Sequence, residues 1–343
     1  MIDPSRILIA TQCSPVEPFK SEVIRLFKSL NLFGGNLAQA KKVACFSESI
    51  DENFKNKLEE LGVKIIFIES LDSRYAYANK IQMLQIKEEY DVLITLDTDI
   101  IVTGDFSNYI DKNTISAKIV DTDSLGLENW KKLFKFFKLD IPSDRFQTCI
   151  TNDTTIPWFN SGVLFIPKKF SSQLYDSWVK YNKKLIENYY TLDFISKNSS
   201  THDHKFAFTD QYALALAIHE CELPYSLLPL DLNFSTHHHI HESFQPEKIS
   251  PLLVHYHHLV SKNGNILHCK YKKTNTLINN VNSKLNLSNL DYELIVDCIY
   301  LELLGRHADN IGLSHYSSLL NDKKITISNI KENIKNSNEF KTK

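Results

Sequence analysis

The chain has 343 residues, 43% hydrophobic and 23% charged, enough for a sizeable core and for one large plus one smaller domain at roughly 150 residues each. Lysine and arginine number 39 against 41 acidic residues, a formal net charge of −2, which gives no bulk electrostatic case for binding nucleic acid or an anionic membrane surface. Among the 9 glycines there is no GxGxxG and no GxxxxGK[ST], which excludes a dinucleotide fingerprint and a P-loop and turns attention to metal-mediated binding of phosphate.

The first apolar run, Ile7 to Ala10, follows an acid and a proline and is too short for a signal-peptide core. No apolar stretch approaches the roughly 20 residues of a membrane span. The cysteines (Cys13, Cys45, Cys149, Cys221, Cys269 and Cys298) are scattered and form no CxxC pair. That pattern fits buried free thiols and a cytoplasmic enzyme.

In chain order, Arg6 to Thr11 reads as a buried strand and Pro18 to Leu30 as a helix. Lys42 to Phe46 is a second strand, Asp51 to Leu61 a helix with Asp51 as N-cap, and Val63 to Ile68 a β-branched strand. Ala76 to Glu89 has helical spacing and Asp91 to Leu96 is a fourth strand. Strands alternating with helices predict an α/β fold with a mostly parallel sheet. Ser124 to Pro157 reads as an insertion, a basic-aromatic helix (Trp130, Leu133, Phe134, Phe137) followed by a polar loop that shapes a cleft. Asn160 to Ile166 returns to strand, Leu174 to Tyr190 and Asp210 to Glu220 to helix, and Leu252 to His257 to strand. The boundaries follow as an α/β domain over 1–270, a Lys-, Asn- and Thr-rich linker over 271–289, and a small all-α module over 290–343.

The chemistry concentrates at Asp97-Thr98-Asp99, at the end of the fourth strand. Residues i and i+2 of an extended chain point the same way, so both carboxylates face one spot. They repel each other unless a cation lies between them, and a hard divalent ion also leaves positions for phosphate oxygens. The plain alternative is a solvated turn, since Asp is common at strand ends.

The segment Asp91 to Val102 resembles the DxD strand of GT-A fold glycosyltransferases, in particular the bacterial family-8-like ones. Trp158-Phe-Asn160-Ser-Gly162 is similar to their NxG strand, Thr209-Asp210-Gln211 to their DQ segment, and Val254-His255-Tyr-His257 to the late strand whose histidine completes the metal site. The four occur in the expected order. The resemblance implies a GT-A fold and a Mn²⁺- or Mg²⁺-dependent enzyme that transfers a sugar from a nucleoside-diphosphate sugar, UDP being the commonest, to a glycan, lipid-linked or protein acceptor. It implies Asp97, Asp99 and His255 as metal ligands, with His257 and His258 as open alternatives to His255. Asn160 and Gly162 would line the donor sugar, and Arg74 and Lys80 would lie near the diphosphate. Thr11 and Gln12 would meet the base. Asp97 is also an alternative ribose contact. Asp210 and Gln211 would sit near the reacting carbon, as base in an inverting reaction or as positioning groups in a retaining one. The Lys-Pro pair usual after the late histidine is missing, and Lys262 is the candidate for that lysine's place.

The run His237-His-His-Ile-His241 reads as a solvated loop rather than a zinc site, because it lacks ligand spacing. The C-terminal stretch from Ile299 to Phe340 resembles a small helical domain of unknown function with similarity to phycobilisome-linker helices. In it Gly305 should end one helix and Asp309 cap the next. An oligomerisation or docking role is expected there as readily as passive packing. Two other functions are weighed. A non-catalytic glycan- or nucleotide-binding protein is disfavoured by the intact acids and histidines. A nucleotidyltransferase is disfavoured because Thr11 to Pro15 is no glycine-rich loop.

Overall fold

Apolar strands buried on both faces and amphipathic segments between them build a three-layer α/β body. The computed structural model describes residues 3–199, 206–285 and 292–342. Strand β1 (Ile7–Gln12) leads through α1 (Phe19–Phe33), β2 (Lys41–Phe46) and α2 (Glu52–Glu60) to β3 (Val63–Phe67). Next come β4 (Val92–Leu96), β5 (Ile100–Val102), β6 (Ile115–Ile119), α3 (Leu127–Phe136) and the short β7 (Phe146–Gln147) and β8 (Thr154–Thr155). Then follow β9 (Phe159–Pro167), α4 (Lys168–Glu187), α5 (Asp193–Ser199), α6 (Thr209–Glu220), β10 (Tyr225–Leu227), β11 (Phe234–Ser235) and β12 (Leu253–His255). The chain ends in α7 (Lys272–Lys284), α8 (Tyr292–Leu304), α9 (Asn310–Asn321), α10 (Ile327–Asn336) and α11 (Asn338–Lys341).

The main sheet has the order β10-β6-β9-β4-β1-β2-β3. Strands β3, β2, β1 and β4 are parallel, while β9 runs antiparallel between β4 and β6. A second sheet, β11-β12-β5, meets it where β4 ends, with β12 antiparallel to β5. Alternate residues of β1 and β4 feed opposite layers: Leu8, Ala10 and Leu93 join one core, Ile7, Ile9 and Ile94 the other. The aromatic stripe of α3 is core, with the Trp130 ring 5.2 Å from Trp158 and 5.6 Å from Tyr212.

Two local expectations change. Ala76 to Gln85 is a 3-10 helix, not an α-helix. Its buried apolar residues Ala78, Ile81 and Leu84 recur every third position, the 3-10 period. The supposed linker contains α7, whose Ile278 and Val281 pack with Ile101, Val254, Tyr256 and Ile266 into one core. Most of the polar residues of 272–284 lie on the outer face of that helix, so its few apolar residues gave weak periodicity. The rest of the supposed linker, 286–289, lies outside the described residues. Ile278 is 0% exposed, so Ile278→Ala should lower stability by about 2–5 kcal/mol in urea unfolding. A loss under ~0.5 kcal/mol would mean that α7 is not part of the core.

The caps form as expected. Asp51 accepts from Phe54 N at 2.9 Å, Gly305 closes α8 with φ +68°, and Asp309 accepts from Gly312 N at 2.8 Å. All six cysteines are free thiols. Among the described residues no helix is long and apolar enough to cross a membrane.

Candidate active site

The acid pair sits at the corner where the chain leaves the large sheet for the small one. Asp97 to Asp99 is a turn between β4 and β5 rather than extended strand, and its two carboxylates take different partners, Lys80 for Asp97 and His255 for Asp99. The Thr98 hydroxyl donates away to Glu22 (2.8 Å), while Asp99 Oδ1 faces His255 Nε2 at 3.0 Å. Register places His255 of β12 opposite Ile100 of β5, which brings it to Asp99, 156 positions away in the chain. Ligand atoms of Asp99, His255 and His257 all lie within 4.8 Å of one another.

A chain of amides sets the imidazole. Asn160 Oδ1 accepts from Gly162 N (2.8 Å) and from Asn233 Nδ2 (3.1 Å), which leaves Asn233 Oδ1 to face His255 Nδ1 at 3.0 Å. The Nδ1–H therefore donates to Asn233, and Nε2 is the nitrogen presented to Asp99. Burial pushes the His255 pKa down, but the Asp99 carboxylate outweighs it and leaves the imidazole above its ordinary value. Burial likewise works against the Asp99 charge, and His255 holds the carboxyl well below the usual range. Nε2 and the carboxylate thus face each other across 3.0 Å, two groups that a divalent cation can share once both are deprotonated. A Cβ on Gly162 would lie 3.0 Å from Asn160 Oδ1, Asp97 Oδ2 and His255 Cε1 alike. Only glycine leaves that space open.

On the other flank, Lys80 Nζ donates to Asp97 Oδ1 at 2.7 Å and to Ser161 Oγ at 3.3 Å. Burial lowers the lysine's pKa, but Asp97 and Asp210 outweigh it and keep the ammonium charged. Both carboxylate oxygens of Asp210 are occupied, one by Tyr75 OH (2.7 Å) and one by Ser161 Oγ (2.8 Å). Its carbonyl accepts from Trp178 Nε1 at 2.7 Å. Gln211, the next residue, is half-buried.

Beyond His255 the histidines stack. The His257 ring lies 3.7 Å from His255 and 3.8 Å from His237. Burial first, and the neighbouring His255 and His237 next, push the His257 pKa well down. His237 is pushed down to about 3 by burial, with His238 second. The reading of the histidine run as wholly solvated is thus corrected, because the strand pairing of Ser235 with His255 carries His237 inward. His258 hydrogen-bonds Glu22 and lies 3.9 Å from Asp99 Oδ2.

Arg74 is held by Asp72 (2.9 and 2.6 Å) on an exposed turn. Lys262 meets Glu293 at 3.2 Å. Thr11 is fully buried with its hydroxyl unpartnered, while Gln12 beside it is half-buried. Tyr75, Ser161, Asn233 and Glu22 had no distinguishing sequence signal, since each acts through a partner far away in the chain.

Comparison with known proteins agrees with this architecture. Residues 21–222, more than half of the chain, match the Rhodobacterales glycosyltransferase domain, and residues 276–343 match a domain of unknown function (DUF4214). No curated protein sequence matches the chain. The galactosyltransferase LgtC with donor and acceptor sugar analogues has 13% identity and a TM-score of 0.51, over 82% of this chain and 97% of that one. An active-site mutant of LgtC gives 12% and 0.54 over the same shares. At such identity the likeness is one of fold, GT-A, and the non-catalytic alternative yields to the family match. The chain belongs to the Rhodobacterales glycosyltransferase-domain family: it is a GT-A glycosyltransferase that ends in a helical DUF4214 domain.

Proposed function

We propose that the enzyme transfers a sugar from a UDP-sugar to a hydroxyl acceptor with a divalent cation, Mn²⁺ or Mg²⁺, held by Asp97, Asp99 and His255. The observation that carries this reading is the space at Gly162, bounded at 3.0 Å by Asp97 Oδ2, His255 Cε1 and Asn160 Oδ1. Two carboxylates and an imidazole suit a cation of this kind. His257 clusters with Asp99 and His255 and is the second choice of histidine ligand, while Asp97 would join the ion only by sharing its carboxylate with Lys80. When bound, the ion supplies Lewis-acid stabilisation of the departing diphosphate.

The chain's own residues do the rest. Lys80 brings a buried positive charge to the rim of Asp97, where charge develops on the leaving phosphate. Asn160 and Gly162 border the donor sugar. Asp210 has both oxygens engaged by hydroxyl donors, so it orients Tyr75 and Ser161 rather than collecting the acceptor's proton. Gln211 is the member of that pair left to touch the sugar. This division of labour favours positioning, the retaining arrangement, over general-base inversion. Thr11 with Gln12 would border the base, and Arg74 and Lys262 would reach the diphosphate only by leaving Asp72 and Glu293.

The test is calorimetric titration of UDP with and without Mn²⁺, repeated with GDP. Saturable binding of UDP at least about 100-fold tighter with metal is expected. Equal affinity in the presence of a chelator, or a preference for GDP, would overturn the metal or the nucleotide assignment respectively.

A further inference from the structure

Both loops that carry the histidines around Asp99 are held from outside by the C-terminal helices. Beyond His255 the chain turns through His257 (φ +47°) and His258 (φ +63°). Two successive non-glycine residues in the left-handed region are strained, and such a turn persists only where its surroundings hold it. It opens into a small hairpin in which Val260 pairs with Ile266. Leu267 N donates to Leu259 O at 2.9 Å, and Ser261 N to Asn265 O at 2.8 Å.

These few bonds are supplemented twice. On one side Asn282 of α7 grips Ile266, accepting from its N–H and donating to its carbonyl at 3.0 Å each. At the tip Glu293, in the first turn of α8, accepts from Lys262 N at 2.7 Å and from its ammonium at 3.2 Å. Glu293 is only 8% exposed, unusual for a carboxylate unless it has fixed partners. The other loop is met as well, His239 Nε2 donating to Gly305 O at 3.0 Å, and just past the hairpin His268 lies 2.9 Å from Cys298 Sγ.

We propose that Glu293 is a positioning residue for the donor site. Through Lys262 it braces the hairpin and, behind it, the strained His257–His258 turn beside Asp99. The DUF4214 domain is then a working part of the transferase rather than a passive appendage. The expected oligomerisation role has no support, and these polar contacts run to the chain's own α/β body. The inference rests on the donor-site reading above, but it has a readout that does not.

The experiment uses the full chain with Glu293→Ala, Glu293→Asp and Glu293→Gln. Aspartate keeps the charge and shortens the reach; glutamine keeps an acceptor oxygen at full reach. Amide hydrogen exchange without any nucleotide should accelerate about tenfold at Ser261 and Leu267 in the Ala and Asp variants. The glutamine variant should stay near wild type, and α9 amides should stay protected in the Asp variant. In parallel, the Kd for UDP with Mn²⁺ and the donor KM should rise about tenfold in the Ala and Asp variants with kcat within about twofold, as for loss of a group that orients metal ligands. Wild-type exchange in the Ala and Asp variants overturns the brace. Faster exchange with unchanged Kd overturns its link to the donor site. If wild type itself binds no UDP, the donor reading fails while the exchange result still decides the brace.

Discussion

Asp99→Ala should abolish metal-dependent UDP binding and reduce sugar transfer on the order of 10³-fold or more, the loss expected when a metal's anchoring charge is removed. The carboxylate is 7% exposed and its closest partner is His255 Nε2 at 3.0 Å. Truncation therefore removes the proposed ligand and leaves the imidazole nitrogens hydrogen-bonded to Asn233. Because Asp99 lies at a strand-end turn and not in a hydrophobic layer, the melting temperature should move by only a few degrees. Isothermal titration with Mn²⁺–UDP and a donor-hydrolysis assay check both halves. Affinity within twofold of wild type would remove Asp99 from the site.

Gly162→Ala should cost about 10²-fold in kcat/KM, from a single methyl group. The reason is crowding and not backbone strain, since Gly162 lies in strand β9 without a positive φ. The new Cβ would meet three polar groups at 3.0 Å. At least one of Asp97, Asn160 and His255 must then shift by several tenths of an ångström, and misplacements on the ångström scale at a reacting centre carry losses of this order. Stability should fall by about 1–3 kcal/mol, as for other overpacked sites, so the assay must be run well below the unfolding transition. A Gly162→Ala enzyme with wild-type kcat and KM for the donor would place the donor sugar elsewhere.

The legible parts of this chain were those governed by local period and local chemistry. β1 and β4 were readable as unbroken apolar runs because a parallel strand is buried on both faces. The cap at Asp51 was readable because it bonds three residues ahead. Asp97 and Asp99 stood out because two carboxylates in close spacing after an apolar strand call for compensating positive charge, which Lys80 and His255 bring to them in the fold. The 3-10 stretch was legible only as helical, because apolar residues three apart suit one turn of either kind of helix. Helix α7 was misread because its core contacts are few against a long polar face.

The order of the motifs, the acid pair and the candidate late histidines were determined by the sequence alone, since each depends on residues adjacent in the chain. Which histidine meets Asp99 most closely was decided only by tertiary structure: β12 pairs with β5 in a register that sets His255 at 3.0 Å, while His257 and His258 lie near Asp99 but hydrogen-bond Ser235 and Glu22. Tertiary structure also decided that Asp210 accepts from Tyr75 and Ser161, that Asn233 sets the imidazole tautomer, and that Glu293 reaches the hairpin. Those contacts join residues 22 to 135 positions apart. A hydrogen bond needs its partners within about 3 Å, and only the packing of sheets and helices brings groups so distant in the chain that close.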